Sequence, residues 1–228
     1  MTLIIVFTVI IFIIVINFIL KEKEFRNTTY YKNTKNSLFF MNKGQSGEYD
    51  LFSRLEQLEK QGAKFLFNLY LPMGYNRTTE IDMVMLSHRG IFVFESKNYS
   101  GWIFGNEHQS QWTVVYKGGR KERLVNPIKQ NNLHIQCLRK CIDIETSISS
   151  VVVFSENCTL KKVTVSNTNV IWGYINNVVD NIISFHNDKI KVLSERNIQD
   201  IYNVLYPMTK VDKFIVKKHI ADIRETYK

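Results

Sequence analysis

The alternation of apolar and polar residues divides the chain into three segments. An apolar run begins at Leu3 and ends at Leu20; it contains no charged side chain, and only Thr8 and Asn17 are polar. The polar stretch that follows, residues 21–43, shows no regular period and is typical of a linker. From Gly47 onward, apolar residues at helical spacing alternate with short runs that are typical of strands. We therefore predict an apolar helix, a polar tether and a folded domain.

Within the folded part, the pattern predicts helices and strands in a mixed order. Residues 81–87 and 91–97 are two apolar runs joined by a short loop with a glycine, which favours an antiparallel hairpin. A second hairpin is predicted to turn at Gly118 and Gly119. The other predicted elements are a helix over residues 47–62, a strand over 64–71, a helix that begins at Pro127, strands over 150–154, 163–165 and 169–172, and helices over 195–205 and 211–227. This order indicates an α/β protein with a mixed central β-sheet flanked by helices.

The apolar run is long enough to cross a lipid bilayer, which takes about 20 helical residues. It lacks the basic start and the small-residue cleavage site of a signal peptide, so residues 1–20 are predicted to be an uncleaved transmembrane anchor. Lysine and arginine residues follow the run and none precedes it. The positive-inside rule then places the domain in the cytoplasm, as a single-pass membrane protein. Asn-X-Ser/Thr sequons would favour secretion, although an Asn-rich chain contains them by chance.

Composition and charge narrow the classes of partner. Apolar residues make up 45% of the chain and charged residues 22%, which supports a packed core and excludes wholesale disorder. The formal charge of +9 favours polyanionic partners, either nucleic acid or an anionic membrane surface. Lys117, Arg120, Lys121 and Arg123 surround the second predicted turn, where they could contact phosphates. A solvated basic hairpin is an equally good interpretation of this cluster.

Charged residues at the end of the second apolar run are the candidates for chemistry. Alternation along a strand places Glu95 and Lys97 on one face, and Asp82 lies on the partner strand of the predicted hairpin. Two neighbouring carboxylates repel each other unless a cation lies between them, and Mg²⁺ prefers such oxygen ligands. A lysine beside them could steady a water nucleophile or the charge on a phosphate. This set suits metal-assisted phosphodiester hydrolysis, whereas a Glu–Lys ion pair at a strand end is the non-catalytic alternative.

Several spaced motifs, in a fixed order, resemble the nuclease-related domain (NERD) family. The similarity extends from Gly47 to about Lys140. The matching positions are Gly47 and Glu48, the stretch TEIDMVMLSHRGIFVFESKNYSG from Thr79 to Gly101, Gly105, Trp112, the stretch NPIKQ from Asn126 to Gln130, and His134.

The resemblance implies a restriction-endonuclease-like core of the PD-(D/E)xK class. In that pattern Asp82 corresponds to the metal-binding acid, Glu95 to the second acid and Lys97 to the catalytic lysine. Glu48 matches an early acidic position that could provide a further metal or water ligand, and Gln130 matches a polar position that faces the site. The expected cofactor is Mg²⁺ or Mn²⁺, with no small-molecule cofactor. Residues 44–165 would form this domain, and residues 166–228 would be a C-terminal extension that packs on or beside the core.

Three functions therefore compete. The leading hypothesis is a membrane-anchored, metal-dependent nuclease, with DNA favoured over RNA as its substrate. The alternatives are a nucleic-acid-binding module that keeps the fold without turnover, and a membrane-associated scaffold whose acidic residues serve stability.

Overall fold

Helices and strands alternate along most of the chain in the computed structural model, which describes residues 2–38, 40–187 and 190–226. The helices are α1 (Thr2–Asn27), α2 (Thr29–Thr34), α3 (Lys43–Leu55), α4 (Pro127–Arg139), α5 (Ile175–His186), α6 (Glu195–Leu205) and α7 (Lys213–Thr226), with 3-10 turns at Glu56–Gln61 and Tyr206–Thr209. The strands are β1 (Lys64–Gly74), β2 (Arg77–Ser87), β3 (Gly90–Lys97), β4 (Gly101–Asn106), β5 (Gln111–Val115), β6 (Lys121–Val125), β7 (Ile148–Phe154), β8 (Cys158–Thr164) and β9 (Val170–Tyr174). The predicted mixed α/β class is confirmed.

The strands form two mixed sheets, where the sequence had suggested one. The larger sheet has the order β1-β2-β3-β7-β9, in which β1, β2 and β3 are antiparallel neighbours and β3, β7 and β9 are parallel. The smaller sheet has the order β6-β5-β4-β8, and its hairpin of β5 and β6 matches the second predicted hairpin. The division arises at β4, which the hydrophobic pattern did not predict. This strand pairs with β5 and β8 and with no strand of the larger sheet among the described residues.

Each face of the larger sheet is covered by helices. One face packs on α3 and α5 through an apolar core that includes Phe52, Phe65, Phe92 and Ile182. The other face packs on α4 and α6 through a second core that includes Leu138 and Ile198. The two cores follow from strand alternation, because successive side chains of β1 to β3 point to opposite faces.

Two asparagines hold α4 in place. Asn126 caps the helix by accepting a hydrogen bond from the Ile128 N–H at 2.9 Å, and Pro127 occupies the first helical position. The Asn126 side-chain amide also donates to carbonyl oxygens of the loop after β4. One turn later, the buried Asn131 side chain donates to the Val93 carbonyl oxygen of β3 at 2.9 Å. The helix is therefore tied to both sheets, which determines the position of its polar face.

The end of α1 and the whole of α2 lie within residues 21–34, in contrast to the irregular tether predicted for residues 21–43. α1 is long and apolar enough to cross a membrane, and it continues to Asn27. Its last turn carries Phe25, which is buried, and Tyr30 of α2 is fully buried as well. These aromatic residues pack into the core beneath α3 because each contributes a large apolar surface. Residues 21–43 look like a polar linker in the sequence, but two of their aromatic rings are buried in the core of the domain.

The C-terminal region adds three helices around the larger sheet. α6 and α7 correspond to the two predicted helices, although Tyr227, the predicted last residue of the second, lies outside the described residues. α5 was not predicted, and its apolar face packs on the core beneath α3. α7 packs against β2.

Buried His186 makes stability depend on pH. It is 2% exposed, and its two ring nitrogens have no hydrogen-bond partner among the described residues. Burial lowers its pKa to about 4 from an ordinary 6.5, and His88 and Arg89 act in the same direction. The unfolded chain therefore takes up a proton between pH 6.5 and 4 that the folded chain does not. As the pH is lowered from 6.5 to 4, the free energy of unfolding should therefore fall more for the wild type than for His186→Leu. We expect the difference to be about 2 kcal/mol.

Denaturant unfolding in detergent at several pH values measures this difference. His108→Leu, at a histidine whose side chain is 87% exposed, is the matched control and should follow the wild type. Parallel pH profiles for the wild type and His186→Leu would contradict the assignment.

Candidate active site

The hairpin of β2 and β3 brings the two predicted acids together. Met83 of β2 lies opposite Phe94 of β3 in the antiparallel register. The next residue along each strand, Asp82 and Glu95, therefore lies across from the other, where the paired ladder ends. The backbone N–H of Ser96 donates a hydrogen bond to Asp82 Oδ2 at 2.8 Å. Asp82 is thus fixed beside the carboxyl end of β3, as the sequence predicted.

β1 and β2 are both irregular near Asp82. Ile81 and Met83 would share a face in a regular strand, yet Ile81 packs in the core beneath α4 and Met83 in the core beneath α3. On β1, Asn68 stands opposite Asp82 in the register and has a left-handed φ of 52°. Asparagine tolerates this conformation better than most other residues. The change of face occurs at Asp82, which is where an acid interrupts the apolar strand.

Lys97 lies on the α4 side of β3 together with Glu95. Its ammonium group donates hydrogen bonds to Glu95 Oε1 and, at 3.2 Å, to Gln130 Oε1. The side chain of Glu95 is 1% exposed and that of Lys97 is 15% exposed, so the pair is largely removed from water. Burial by itself would lower the pKa of Lys97, but the carboxylates of Glu95 and Asp82 raise it above its ordinary value. The lysine is therefore held as a cation.

The carboxylates of the site have raised pKa values. Burial raises the pKa of Asp82 to about 7, with a further contribution from Glu95, while Lys97 and the Ser96 N–H act in the opposite direction. Burial also raises the pKa of Glu95, and Lys97 opposes this. Several carboxyl groups therefore share a region with one buried ammonium group, and an additional cation between them would favour their charged forms.

Glu48 approaches the strands from α3, on the other side of the sheet. The close contact is possible because α3 carries Gly47, where a Cβ atom would lie only 3.1 Å from Asn98 Cβ. The Asn98 side chain donates to the Lys43 carbonyl oxygen at 2.7 Å and holds the start of α3 against the end of β3. Burial raises the pKa of Glu48 to about 8, and Asp82 adds to this. Glu48 therefore interacts with the acids of the hairpin electrostatically.

His134 is close to the acids, one turn after Gln130 on α4. Its Nδ1 atom lies 3.3 Å from Glu95 Oε2, and its side chain is 2% exposed. Burial lowers the pKa of His134 to about 4, so the ring is neutral near pH 7. A neutral and almost fully buried imidazole suits a packing role better than proton transfer to a substrate.

A cleft of about 630 Å³ opens beside Lys97. Gln130 and His134 of α4 line one wall, and Arg123 of β6 lines another. β2 and α7 add further lining residues, which include Arg77, Thr78, Glu80, His219, Asp222 and Ile223. Two arginines and the site lysine therefore face a space large enough for a phosphodiester segment.

The predicted basic cluster divides between the cleft and the exposed turn. Arg123 reaches the cleft, whereas Lys117, Arg120 and Lys121 lie at the turn between β5 and β6, where they are exposed. Arg120 forms an ion pair with Glu122 at 3.2 Å and lies over the Tyr116 ring. Arg123 alone of these four predicted residues borders the described cleft, and a phosphate contact by the exposed turn stays a prediction.

Comparison with known sequences gives matches to this chain. The sequence model of the nuclease-related domain matches residues 43–155, which extend from α3 to β7. An uncharacterized protein of Bacillus anthracis is 31% identical over 186 residues, covering 81% of this chain and 85% of that protein. This chain belongs to the NERD family. No solved structure gives a significant match to it.

The NERD protein provides some of the oxygen ligands that a hard divalent cation requires. Asp82 and Glu95 provide carboxylate oxygens, and Glu95 Oε2 is buried without a hydrogen-bond partner in the described part of the chain. Mg²⁺ is commonly bound by one or two carboxylates plus water and phosphate oxygens, which this pair satisfies. Within residues 2–38, 40–187 and 190–226, no group of three or more His, Cys, Asp or Glu side chains is arranged to hold a metal ion. Glu48 is thus not a preformed third ligand beside the other two.

The structure adds residues that the sequence analysis of the NERD protein did not identify. Glu80 has a pKa raised by burial and interacts electrostatically with Asp82. Its position two residues before Asp82 on a strand was an available signal. His219 of α7 lies 3.0 Å from the Thr78 carbonyl oxygen and 3.8 Å from Glu80 Oε2. No local pattern indicates this contact, because 141 positions separate His219 from Thr78.

Proposed function

We propose that this NERD protein is a membrane-anchored, divalent-metal-dependent nuclease that hydrolyses phosphodiester bonds. The observation that carries the proposal is the buried Glu95–Lys97 pair with Asp82 beside it, next to a cleft that Lys97 lines together with Arg123. A purely structural ion pair has no need of a second acid, and a bare binding surface has no need of either buried carboxylate. The resemblance to restriction endonucleases favours DNA over RNA as the substrate.

Each side chain has a chemical role in this proposal. A bound Mg²⁺ or Mn²⁺ would supply a Lewis acid and lower the pKa of a water molecule. Asp82 and Glu95 would hold the cation, with Glu48 assisting. Lys97 would stabilise negative charge on the phosphate in the transition state, since it is cationic and largely shielded from water. Gln130 would orient Lys97 through its hydrogen bond.

The proposed location is the cytoplasmic face of a membrane. α1 supports the anchor by its length and apolar composition. Lys21, Lys23 and Arg26 follow the apolar part of this helix, and the positive-inside rule favours keeping them in the cytoplasm. The nuclease domain would then meet DNA inside the cell, close to the lipid surface.

A nucleic-acid-binding module without turnover is the second candidate. It is favoured by the finding that the described residues present no preformed metal group of three ligands. A cleavage assay with the purified full chain in detergent distinguishes the two candidate functions. Its four substrates are supercoiled plasmid, linear duplex DNA, single-stranded DNA and single-stranded RNA. The nuclease proposal requires cleavage with Mg²⁺ or Mn²⁺ and none with EDTA. Binding without cleavage of all four substrates would support the module instead.

Arg123→Ala is expected to weaken nucleic-acid binding by about three- to tenfold and to lower the slope of log affinity against log salt by about 1. The reason is the loss of one phosphate contact from the wall of the cleft. Fluorescence anisotropy with a labelled duplex, measured over a salt series without metal, gives both quantities. Lys117→Ala, at the exposed turn of the same hairpin, should leave the slope unchanged. Equal effects of both substitutions would place the binding surface at the turn.

A further inference from the structure

The membrane-proximal segment of the chain reaches the proposed active site. Tyr30 of α2 lies outside residues 43–155, the part matched by the NERD model. Its ring is fully buried and contacts the rings of Tyr49, Phe52 and Phe67, with centroid distances of 5.4, 6.2 and 5.0 Å. α2 is thus packed on the first helix of the nuclease domain.

The hydroxyl group of Tyr30 points at one of the predicted acids. It lies 3.1 Å from the Gln45 carbonyl oxygen and 3.4 Å from Glu48 Oε2, and these two acceptors share its single proton. The Asn36 side chain donates back to the hydroxyl oxygen at 3.4 Å. Gln45 in turn donates to Asn36 Oδ1 at 3.3 Å, which closes a small polar network around the hydroxyl group. Burial, followed by the charge of Glu48, raises the pKa of Tyr30, so the hydroxyl keeps its proton and remains a donor.

The hydrogen bond between Tyr30 and Glu48 differs in kind from the aromatic packing around it. The aromatic cluster needs only a ring at position 30, because the neighbouring contacts are between ring faces and edges. The hydroxyl group adds a directed hydrogen bond to a half-buried carboxylate that has Asp82 and Glu80 as its electrostatic neighbours. A donor at this position favours one orientation of Glu48 among those that its side chain can adopt.

We propose that Tyr30 is a positioning residue that orients the Glu48 carboxylate toward Asp82. The inference rests on the proposed nuclease function and deepens it, because it gives a residue of the membrane-proximal segment a role in the active site. The link to the anchor is short. Phe25, in the last turn of α1, contacts the Tyr49 ring edge-on at a centroid distance of 4.9 Å. Ring contacts therefore connect the end of α1 to the residues that flank Glu48.

Tyr30→Phe tests the proposal, because it keeps the ring and removes the hydroxyl group. In the full chain in lipid nanodiscs, we expect kcat for plasmid cleavage to fall by about tenfold with KM within twofold of the wild type. The affinity for Mn²⁺ without nucleic acid, measured by calorimetry, should weaken several-fold. Tyr49→Phe is the matched control, since Tyr49 belongs to the same aromatic cluster. It should match the wild type in kcat and Mn²⁺ affinity.

A double-variant cycle separates positioning from a general structural role. If Tyr30 acts through Glu48, then Tyr30→Phe should have no further effect on Mn²⁺ affinity or cleavage when Glu48 is already alanine. A loss of the same size in the Glu48→Ala background would overturn the proposal, and so would wild-type behaviour of Tyr30→Phe in both assays.

The outcomes also distinguish this inference from the nuclease function. Cleavage by the wild type together with an unaffected Tyr30→Phe variant would reject the role of Tyr30 alone. Absence of cleavage by the wild type, with Mn²⁺ binding that depends on both Tyr30 and Glu48, would reject the nuclease function and keep the role of Tyr30. A wild type that neither cuts nor binds Mn²⁺ would reject both.

Discussion

Lys97→Met is expected to lower the rate of phosphodiester cleavage by about 10²- to 10³-fold, the loss typical of removing one group that stabilises transition-state charge. The ammonium group is held by Glu95 and Gln130, so no other side chain can take its place without rearrangement of the buried pair. Single-turnover cleavage of plasmid DNA by the full chain measures the effect. Lys129→Met, at an exposed lysine beside Gln130 on α4, is the control and should cut at the wild-type rate.

The same substitution should also destabilise the fold by about 3 kcal/mol, because it leaves the buried Glu95 carboxylate without its cation. Adding Glu95→Gln removes the remaining charge and should restore most of the stability but none of the activity. This opposite response of stability and cleavage separates catalysis from folding. Wild-type cleavage by Lys97→Met would rule out the proposed role of this lysine.

Gly105→Ala is expected to lower the free energy of unfolding by about 3 kcal/mol, at the upper end of the usual cost of overpacking. A Cβ atom at position 105 would lie only 2.3 to 2.5 Å from ring atoms of Trp112. The ring cannot move aside easily, because it is fully buried and stacks on Phe154 with an interplanar angle of 7°. Its Nε1–H also donates to the Asn106 carbonyl oxygen at 2.9 Å. The clash must therefore displace β4 or β5.

Chemical unfolding of the full chain in detergent measures this loss. Gly44→Ala is the matched control, since the same added methyl group meets Asn42 Oδ1 at 3.3 Å within the first turn of α3. It should change stability by less than about 1 kcal/mol, because alanine also favours the helix. Equal stability of the Gly105→Ala variant and the wild type would mean that the smaller sheet can open around Trp112 at little cost.

The hairpin of β2 and β3 was predictable because its signals are local. Two apolar runs around a short loop specify the pairing, and the register then places Asp82 across from Glu95. The same alternation specifies that Glu95 and Lys97 share a face. The acid pair and the lysine of the candidate site could therefore be located from residues 81–97, with no knowledge of the remaining fold.

The smaller sheet and the segment after α1 were not predictable in this way. β4 contains two glycines in six residues and has no clear alternation, so only its pairing with β5 and β8 defines it as a strand. Residues 21–43 look like a polar linker, yet Phe25 and Tyr30 are buried. Isolated aromatic residues in a polar segment do not reveal whether a partner surface exists elsewhere in the chain.

By itself, the sequence determined the mixed α/β class, the apolar helix at the start of the chain and the Asp82, Glu95 and Lys97 set, because each depends on residues that are close together along the chain. The tertiary structure decided which other side chains join that set. Tyr30 meets Glu48, and His219 meets Thr78 and Glu80, only because separate helices pack on one sheet. Such contacts result from the burial of apolar faces over the whole domain, which no local pattern encodes.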